Sequence, residues 1–326
     1  VSTDRTTEHD SGDFDVVVLG EVLVEVSTDA PFDDGVEARL GVSGDAFNVA
    51  AAAAAAGARV GLVAVLGEDE LGDAVRRRVE ELGIAPDLLR RRPGQQGVYF
   101  VHGDPDGERE FAYVRAHSVG STLSPEDLDL PVLKRAGAVV ASGITCALSE
   151  SAEAAVHAAA EVAERFVLDP NHRPRLSSVD DARRRLRDLA PSAWLVTPSH
   201  PGETAELLDA TSAAEGARSL VDLGARHVAV TCGADGVHLL EGGVEQWIPA
   251  IPAHRVVDQT GAGDAFLGSV AARSVLGDPL PEAVRWGVAA ASLAVGGRGG
   301  TGVVPTPDQI RAHLQHEDPH SEGGRA

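Results

Sequence analysis

The 326-residue sequence predicts an α/β fold of three layers, a mostly parallel central sheet between helices, with a small β-sheet lid inserted into it. Three observations lead there. Short apolar runs alternate with stretches of helical period along most of the chain, as in strands buried on both faces. Two stretches, 22–42 and 97–117, break that alternation with strand patterns that have no helix between them. Finally, a chain of this length that is 43% hydrophobic buries about three quarters of its unfolded surface, enough for one large core.

Taken in order, the central strands are expected at DVVVLG (15–20), VGLVAVLG (60–67), AVVASG (138–143), FVLD (166–169), WLVT (194–197) and HVAVT (227–231). Helices are expected near 45–57, 71–82, 149–164, 178–190, 201–224, 264–276 and 280–295. Ala50–Ala56, seven alanines in succession, reads as a high-propensity helix packed tightly on the sheet. In the second lid segment, DPDG (104–107) marks a hairpin turn between VYFVH and REFAYVRA. Phe111, Tyr113 and Arg115 are spaced by two there and share one strand face, either as a wall of a binding site or as a solvated face with a core Phe. One domain is expected over 14–315, with polar tails at 1–13 and 316–326.

Fifty acidic against 28 basic side chains give a formal charge of −22, which opposes binding to a nucleic acid. The sequence has neither a run of about eighteen apolar residues nor a basic-then-apolar leader, so no membrane partner and a cytoplasmic location are expected. Cys146 and Cys232 lie far apart without a C-x-x-C, and the histidines lack metal-ligand spacing, so a metal held by protein groups alone is not expected. Lys134, the single lysine, follows Val132 and Leu133, which excludes a Walker loop. A formal G-x-G-x-x-G at Gly297, Gly299 and Gly302 follows a helical stretch and leads to Pro305 and Pro307, the wrong context for a dinucleotide fingerprint.

The chemistry concentrates in VVDQTGAGDAF (256–266), where a strand gives way to a helix expected to begin near Asp264. Gly261, Ala262 and Gly263 let an anion approach the backbone, and their N–H groups would point at it from the positive end of the helix. Phosphoryl oxygens suit that turn. Asp264, on the first turn beside the anion, is placed to take the proton from an attacking hydroxyl. The competing reading is a glycine-rich connection followed by a common first-turn Asp.

Three segments together resemble the PfkB, or ribokinase-like, carbohydrate kinases, over about Asp15 to His313. SGDAFNVAAAAAAAGARVGLVAVLGEDELG (43–72) is similar to the family's amino-terminal signature and VVDQTGAGDAF to its carboxy-terminal one, while the inserted hairpins occupy the places of its lid. Within the family, REFAYVRAHSVGSTLSPEDL (109–128), SGITCALS (142–149) and LDPNHRPRL (168–176) are most similar to 2-keto-3-deoxygluconate kinases.

The resemblance implies a ribokinase-like sandwich and ATP-dependent phosphorylation of a sugar hydroxyl, with Asp264 as base. It implies that Tyr99, Tyr113, Arg115 and Arg173 meet a sugar acid, two guanidinium groups suiting a carboxylate. Gly44 would allow the ligand's close approach; Asn48 would bond to it or brace its own helix. For the nucleotide it implies Ser199, the Gly-x-x-Gly wall TCGADG with Thr231, Gly233 and Gly236, and the turn glycines Gly261 and Gly263. Mg²⁺ would arrive with ATP. The family's N-x-x-E segment is altered to TPSHPGETAELL (197–208), which weakens a metal role for Glu203; Gln259 and Ser43 also depart from the commoner forms. Asp258 serves either a monovalent cation or the anion turn. A homodimer pairing through the lid is expected. Fructose, ribose or another family sugar is the alternative substrate, and a non-catalytic sugar-binding regulator the alternative class. A dinucleotide oxidoreductase is disfavoured, because LGEVLVEV follows the first strand in place of a glycine-rich turn.

Overall fold

The computed structural model of the protein describes residues 13–103 and 109–317. The DPDG turn, residues 1–12 of the first expected tail and 318–326 of the second lie outside the described residues. The central sheet contains β1 (Val16–Leu19), β4 (Val60–Gly67), β5 (Leu89–Arg92), β8 (Ala138–Ser142), β9 (Phe166–Asp169), β10 (Ala193–Val196), β11 (His227–Thr231), β12 (Gly236–Glu241) and β13 (Val244–Pro249). Their order is β13-β12-β11-β10-β9-β8-β1-β4-β5, all parallel except the terminal hairpin β12–β13. The segments expected as a lid form a separate sheet, β3-β2-β6-β7, made of β2 (Leu23–Thr28), β3 (Arg39–Ser43), β6 (Val98–Gly103) and β7 (Arg109–Val114).

Alternation along β1 shows why the sheet needs helices on both sides. Val16 and Val18 enter one core with α1 (Asp45–Ala55), α2 (Glu70–Glu81), α9 (Ala262–Val275) and α10 (Leu280–Ala294). Val17 and Leu19 enter the other, with α3 (Leu130–Arg135), α4 (Gly143–Leu148), α5 (Glu150–Val162), α6 (Val179–Leu189), α7 (Gly202–Leu208) and α8 (Ala213–Asp222). Each large aliphatic side chain buried there contributes about 1.5–3 kcal/mol.

The alanine run does pack tightly, against α9 more than against the sheet. A Cβ on Gly268 would lie 2.2 Å from the Val49 carbonyl and 2.9 Å from the Ala52 methyl, so α1 and α9 meet almost backbone to backbone. Their amino-terminal ends thereby converge near the carboxyl ends of β1, β8 and β9. The strand order turns about β1, between β8 and β4, the crevice where open α/β sheets bind ligands.

Several expectations need correction. The helix expected at 201–224 is two, because Asp209 adopts the left-handed conformation (φ 54°) at the end of α7 and Ser212 then caps α8 by accepting from Glu215 N. The helix expected from Asp264 begins at Ala262, since Gly261 with φ 80° already turns the chain into it. β5, β12 and β13 were not expected: β5 is LRRR at a sheet edge, and β12–β13 turns through Gly242 and Gly243, both at positive φ. The last helix, α11 (Pro307–Glu317), was not expected either. Among the described residues no helix is long and apolar enough to cross a membrane.

Candidate active site

Asp264 lies on the first turn of α9, where Asn48 Nδ2 on α1 donates to its Oδ2 at 2.8 Å. Asn48 is itself buried and accepts from Ser43 Oγ at 3.4 Å, so the side chain joins the two helix ends. Burial, with the Asp45 carboxylate adding to it, pushes the Asp264 carboxyl up to about 7; Asn48 and Arg173 oppose the rise. That value suits a base working near neutrality, strong enough to take a proton and about half ionised at pH 7.

Of the three expected turn donors, Ala262 N–H is already committed to Gln259 O at 3.2 Å, while Ala265 N makes the first bond inside α9 to Gly261 O. Of the N–H groups at this helix start, those of Gly261, Gly263 and Asp264 stay available to an anion. Gly261 is enforced by packing as well as by φ, because its Cβ would sit 2.8 Å from Gly300 Cα. The loop with the formal G-x-G-x-x-G thus lies against the turn. Asp258 ties the two together, accepting Thr260 N at 2.6 Å and Gly299 N at 2.8 Å.

Across the cleft, Asp169 ends β9 and Ser142 ends β8. Asp169 accepts from Asn171 N at 3.0 Å, and burial beside Glu203 and Asp264 holds its carboxyl well above the usual range against the pull of Arg173. Ser142 Oγ donates to Asp45 on the first turn of α1. Asp45, Ser142, Asp169, Asn171 and Asp264 line one cavity. Sequence reasoning named only Asp264 of these; Asp45 stands next to Gly44 in the signature, but no spacing rule singles it out. Gly44 itself starts α1 at φ 123°, with space for a Cβ closed by the Glu21 carbonyl at 2.7 Å. Its glycine is demanded by the chain's own backbone.

The lid residues divide. Tyr99 and Tyr113 are paired across β6 and β7, and Phe111 stacks on Tyr113 with ring centroids 6.2 Å apart, so the expected common face exists. Tyr99 is buried and its hydroxyl donates to Glu25, the neighbouring residue on β2. Burial and that carboxylate push the Tyr99 phenol well above its usual range, so it remains a donor. Arg115, just past β7, lies 5.7 Å over the Tyr113 ring and forms an ion pair with Glu21 at 2.5 Å. Glu21, 1% exposed, also accepts from Ser118 Oγ at 2.5 Å, and burial raises its carboxyl above the ordinary value. Arg115 and Arg173 therefore have different settings, since Arg173 is exposed and electrostatically close to Asp169 and Asp264.

The nucleotide residues expected from sequence lie at the carboxyl ends of β10 and β11. Ser199 forms an isolated bridge to Thr231, and Gly233 and Gly236 bound the turn into β12. Glu203 is buried and both its oxygens are engaged: Oε1 accepts His172 N at 2.7 Å, and Oε2 accepts Ser199 N at 2.8 Å and Ser199 Oγ at 3.0 Å. Among the described residues no three His, Cys, Asp or Glu side chains form a group that could hold a metal ion.

A carboxylate on the first turn of a helix, in a crevice at the carboxyl ends of the strands, is an arrangement that phosphoryl transfer can use, and the model of the pfkB family carbohydrate kinases matches residues 13–307. The chain belongs to this family. It is an ATP-dependent carbohydrate kinase. The kinase is 34% identical over 306 residues to a 2-dehydro-3-deoxygluconokinase of Thermoproteus tenax, covering 92% of this chain and 94% of that one. It is 28% identical to a 2-dehydro-3-deoxygalactonokinase of Haloferax volcanii, over 93% of this chain and 98% of that one. A ribokinase II candidate of E. coli, crystallised with ATP and Mg²⁺, has the same fold: TM-score 0.84 at 24% identity, over 92% of this chain and 99% of that one.

Proposed function

We propose that the kinase transfers the γ-phosphate of ATP to the terminal hydroxyl of 2-keto-3-deoxygluconate (2-dehydro-3-deoxygluconate), giving the 6-phosphate. The observation that carries the reading is the polarity of the site. Its floor is lined by the carboxyl groups of Asp45, Asp169 and Asp264. A substrate carboxylate is unwelcome there, whereas hydroxyl groups find acceptors. The acid therefore enters hydroxyl end first, and its carboxylate stays near Arg173 and the lid. Asp264 takes the hydroxyl proton as the oxygen–phosphorus bond forms and ADP leaves, and Gly263 N–H and Asp264 N–H hold the transferring group's oxygens. Lid closure keeps water from the phosphoryl group.

Mg²⁺ fits only as a companion of ATP, because Glu203 spends both oxygens on backbone and side-chain donors of its own chain. Bound with the nucleotide, it neutralises phosphate charge. The two amide bonds accepted by Asp258 support its role as brace of the anion turn over a monovalent cation site. A homodimer through the lid is supported by Leu40 and Val114, 72% and 60% exposed on the face opposite Tyr99 and Tyr113. We place the kinase in the cytoplasm, where ATP is supplied.

The test is coupled ADP release with 2-keto-3-deoxygluconate, fructose and ribose, in wild type and Arg173→Met. The acid is expected to be preferred, and loss of Arg173 to lower its kcat/KM about 10- to 150-fold, the scale of 1.5–3 kcal/mol for a charged hydrogen bond. Neutral sugars should change far less. Preference for fructose or ribose in the wild type would defeat the sugar-acid assignment. Arg115→Met is the poorer probe, because it also leaves buried Glu21 without its counter-ion.

A further inference from the structure

Asp45 is a carboxylate of the cavity to which the reaction as described gives only a place in the floor, and its placement is specific. It stands on the first turn of α1 as Asp264 stands on the first turn of α9, the two helices touching through Gly268 and Asn48 bonding across to Asp264. Ser142 at the end of β8 donates to Asp45 Oδ2 and fixes the group's orientation in the cavity it shares with Asp264.

We propose that Asp45 is a positioning residue of the kinase: its negative charge, aimed into the cavity by Ser142, makes Asp264 a stronger base than an ordinary carboxylate. The inference rests on Asp264 being the base. A like charge nearby disfavours a second ionised group, so the proton accepted from the sugar hydroxyl is held more firmly. The other groups facing Asp264 do not do this. Asn48 on α1 donates to it and Arg173, beyond β9, attracts it, and both act in the opposite direction. Asp169 at the end of β9 has its own carboxyl held well above the usual range, by burial and by the neighbouring carboxylates of Glu203 and Asp264. Asp45 is the member of the set whose charge raises Asp264.

The experiment is the pH dependence of kcat/KM for the sugar acid between pH 5 and 9 in wild type, Asp45→Asn and Asp45→Glu, with circular dichroism confirming each fold. In wild type the acidic limb is expected near the value of about 7 held by Asp264. Asp45→Asn should move that limb down by about one pH unit and lower the plateau severalfold, as a weaker base would. Asp45→Glu keeps the charge and should restore the limb. If Asp45→Asn leaves the limb in place, or if Asp45→Glu shifts it as far as Asp45→Asn does, Asp45 has no electrostatic role and the proposal fails. A wild type with no acidic limb near 7, or an Asp264→Asn variant with full turnover, would instead remove Asp264 as the base, a separate failure.

Discussion

At the scale of single residues, the site is built from groups whose settings make them do unlike work. Asp264 is crowded by protein yet opens to the cavity, and this raises its carboxyl to about 7, against about 3.9 in an unfolded chain. The sign of the consequence for stability follows. Between those two values the folded chain binds the extra proton, so the group's contribution is present at low pH and is lost as pH rises through 7. Asp264→Asn, which cannot ionise, should therefore be more stable than wild type by a few kcal/mol at pH 8, with the gap closing toward pH 4. The same variant should lose about 10²-fold or more in kcat, the scale of a general base. Urea unfolding at the two pH values, with turnover at pH 8, checks both halves; equal stability throughout would show that the group is not strained, and near-wild-type turnover that it is not catalytic. Asp264 was legible in the sequence as a candidate base because four adjacent residues, GAGD, carry the pattern. Glu21, Glu25 and Asp45 were not, since each acts through a partner tens of residues away: Arg115, Tyr99 and Ser142.

At the scale of elements, the packing of α1 on α9 aligns the site. The alanine run on α1 offers a smooth surface, Gly268 on α9 removes the last obstacle, and the approach lets Asn48 span to Asp264 at 2.8 Å. Gly268→Val should force the helices apart, since even a Cβ meets the Val49 carbonyl, and cost about 1–3 kcal/mol or more. It should also cut kcat well beyond that loss, because the base leaves its partner. Thermal melts and turnover of the folded fraction test this, and an active variant of unchanged stability would show that the contact carries neither function. Strands of the parallel sheet were readable because burial on both faces makes them continuous apolar runs. The ones that escaped, β5, β12 and β13, are edge or hairpin strands in which arginine, glycine and exposed polar residues hide that signal. Similarly, α7 and α8 read as a single helix because their apolar periods join across Asp209.

At the scale of the whole molecule, topology and net charge make different demands. The turn of strand order about β1 gathers residues from β8, β9, α1 and α9 at one crevice, so a site dispersed over more than two hundred residues of sequence becomes local. Local pattern could not have placed Asp169 beside Asp264; only the strand order does. The charge acts against compactness. At −22, with the 50 acidic groups far outnumbering the 28 basic ones, the folded chain repels itself more than its expanded form does. Salt shortens the reach of that repulsion from about 10 Å at 0.1 M to about 3 Å at 1 M. The surface ion pairs that salt also weakens, such as Arg218 with Glu245, stand in solvent and contribute too little to cancel the gain. Raising KCl from 0.1 to 2 M should therefore raise Tm by several degrees, most of the rise coming below 1 M, and should strengthen any pairing of lids between two like-charged copies. Calorimetry across the KCl series, with sedimentation at its two ends, measures both effects. A Tm that is flat or falls over the first molar would mean that the acidic surface is already neutralised by its own arginines, and that any pairing through Leu40 and Val114 would rest on apolar contact alone.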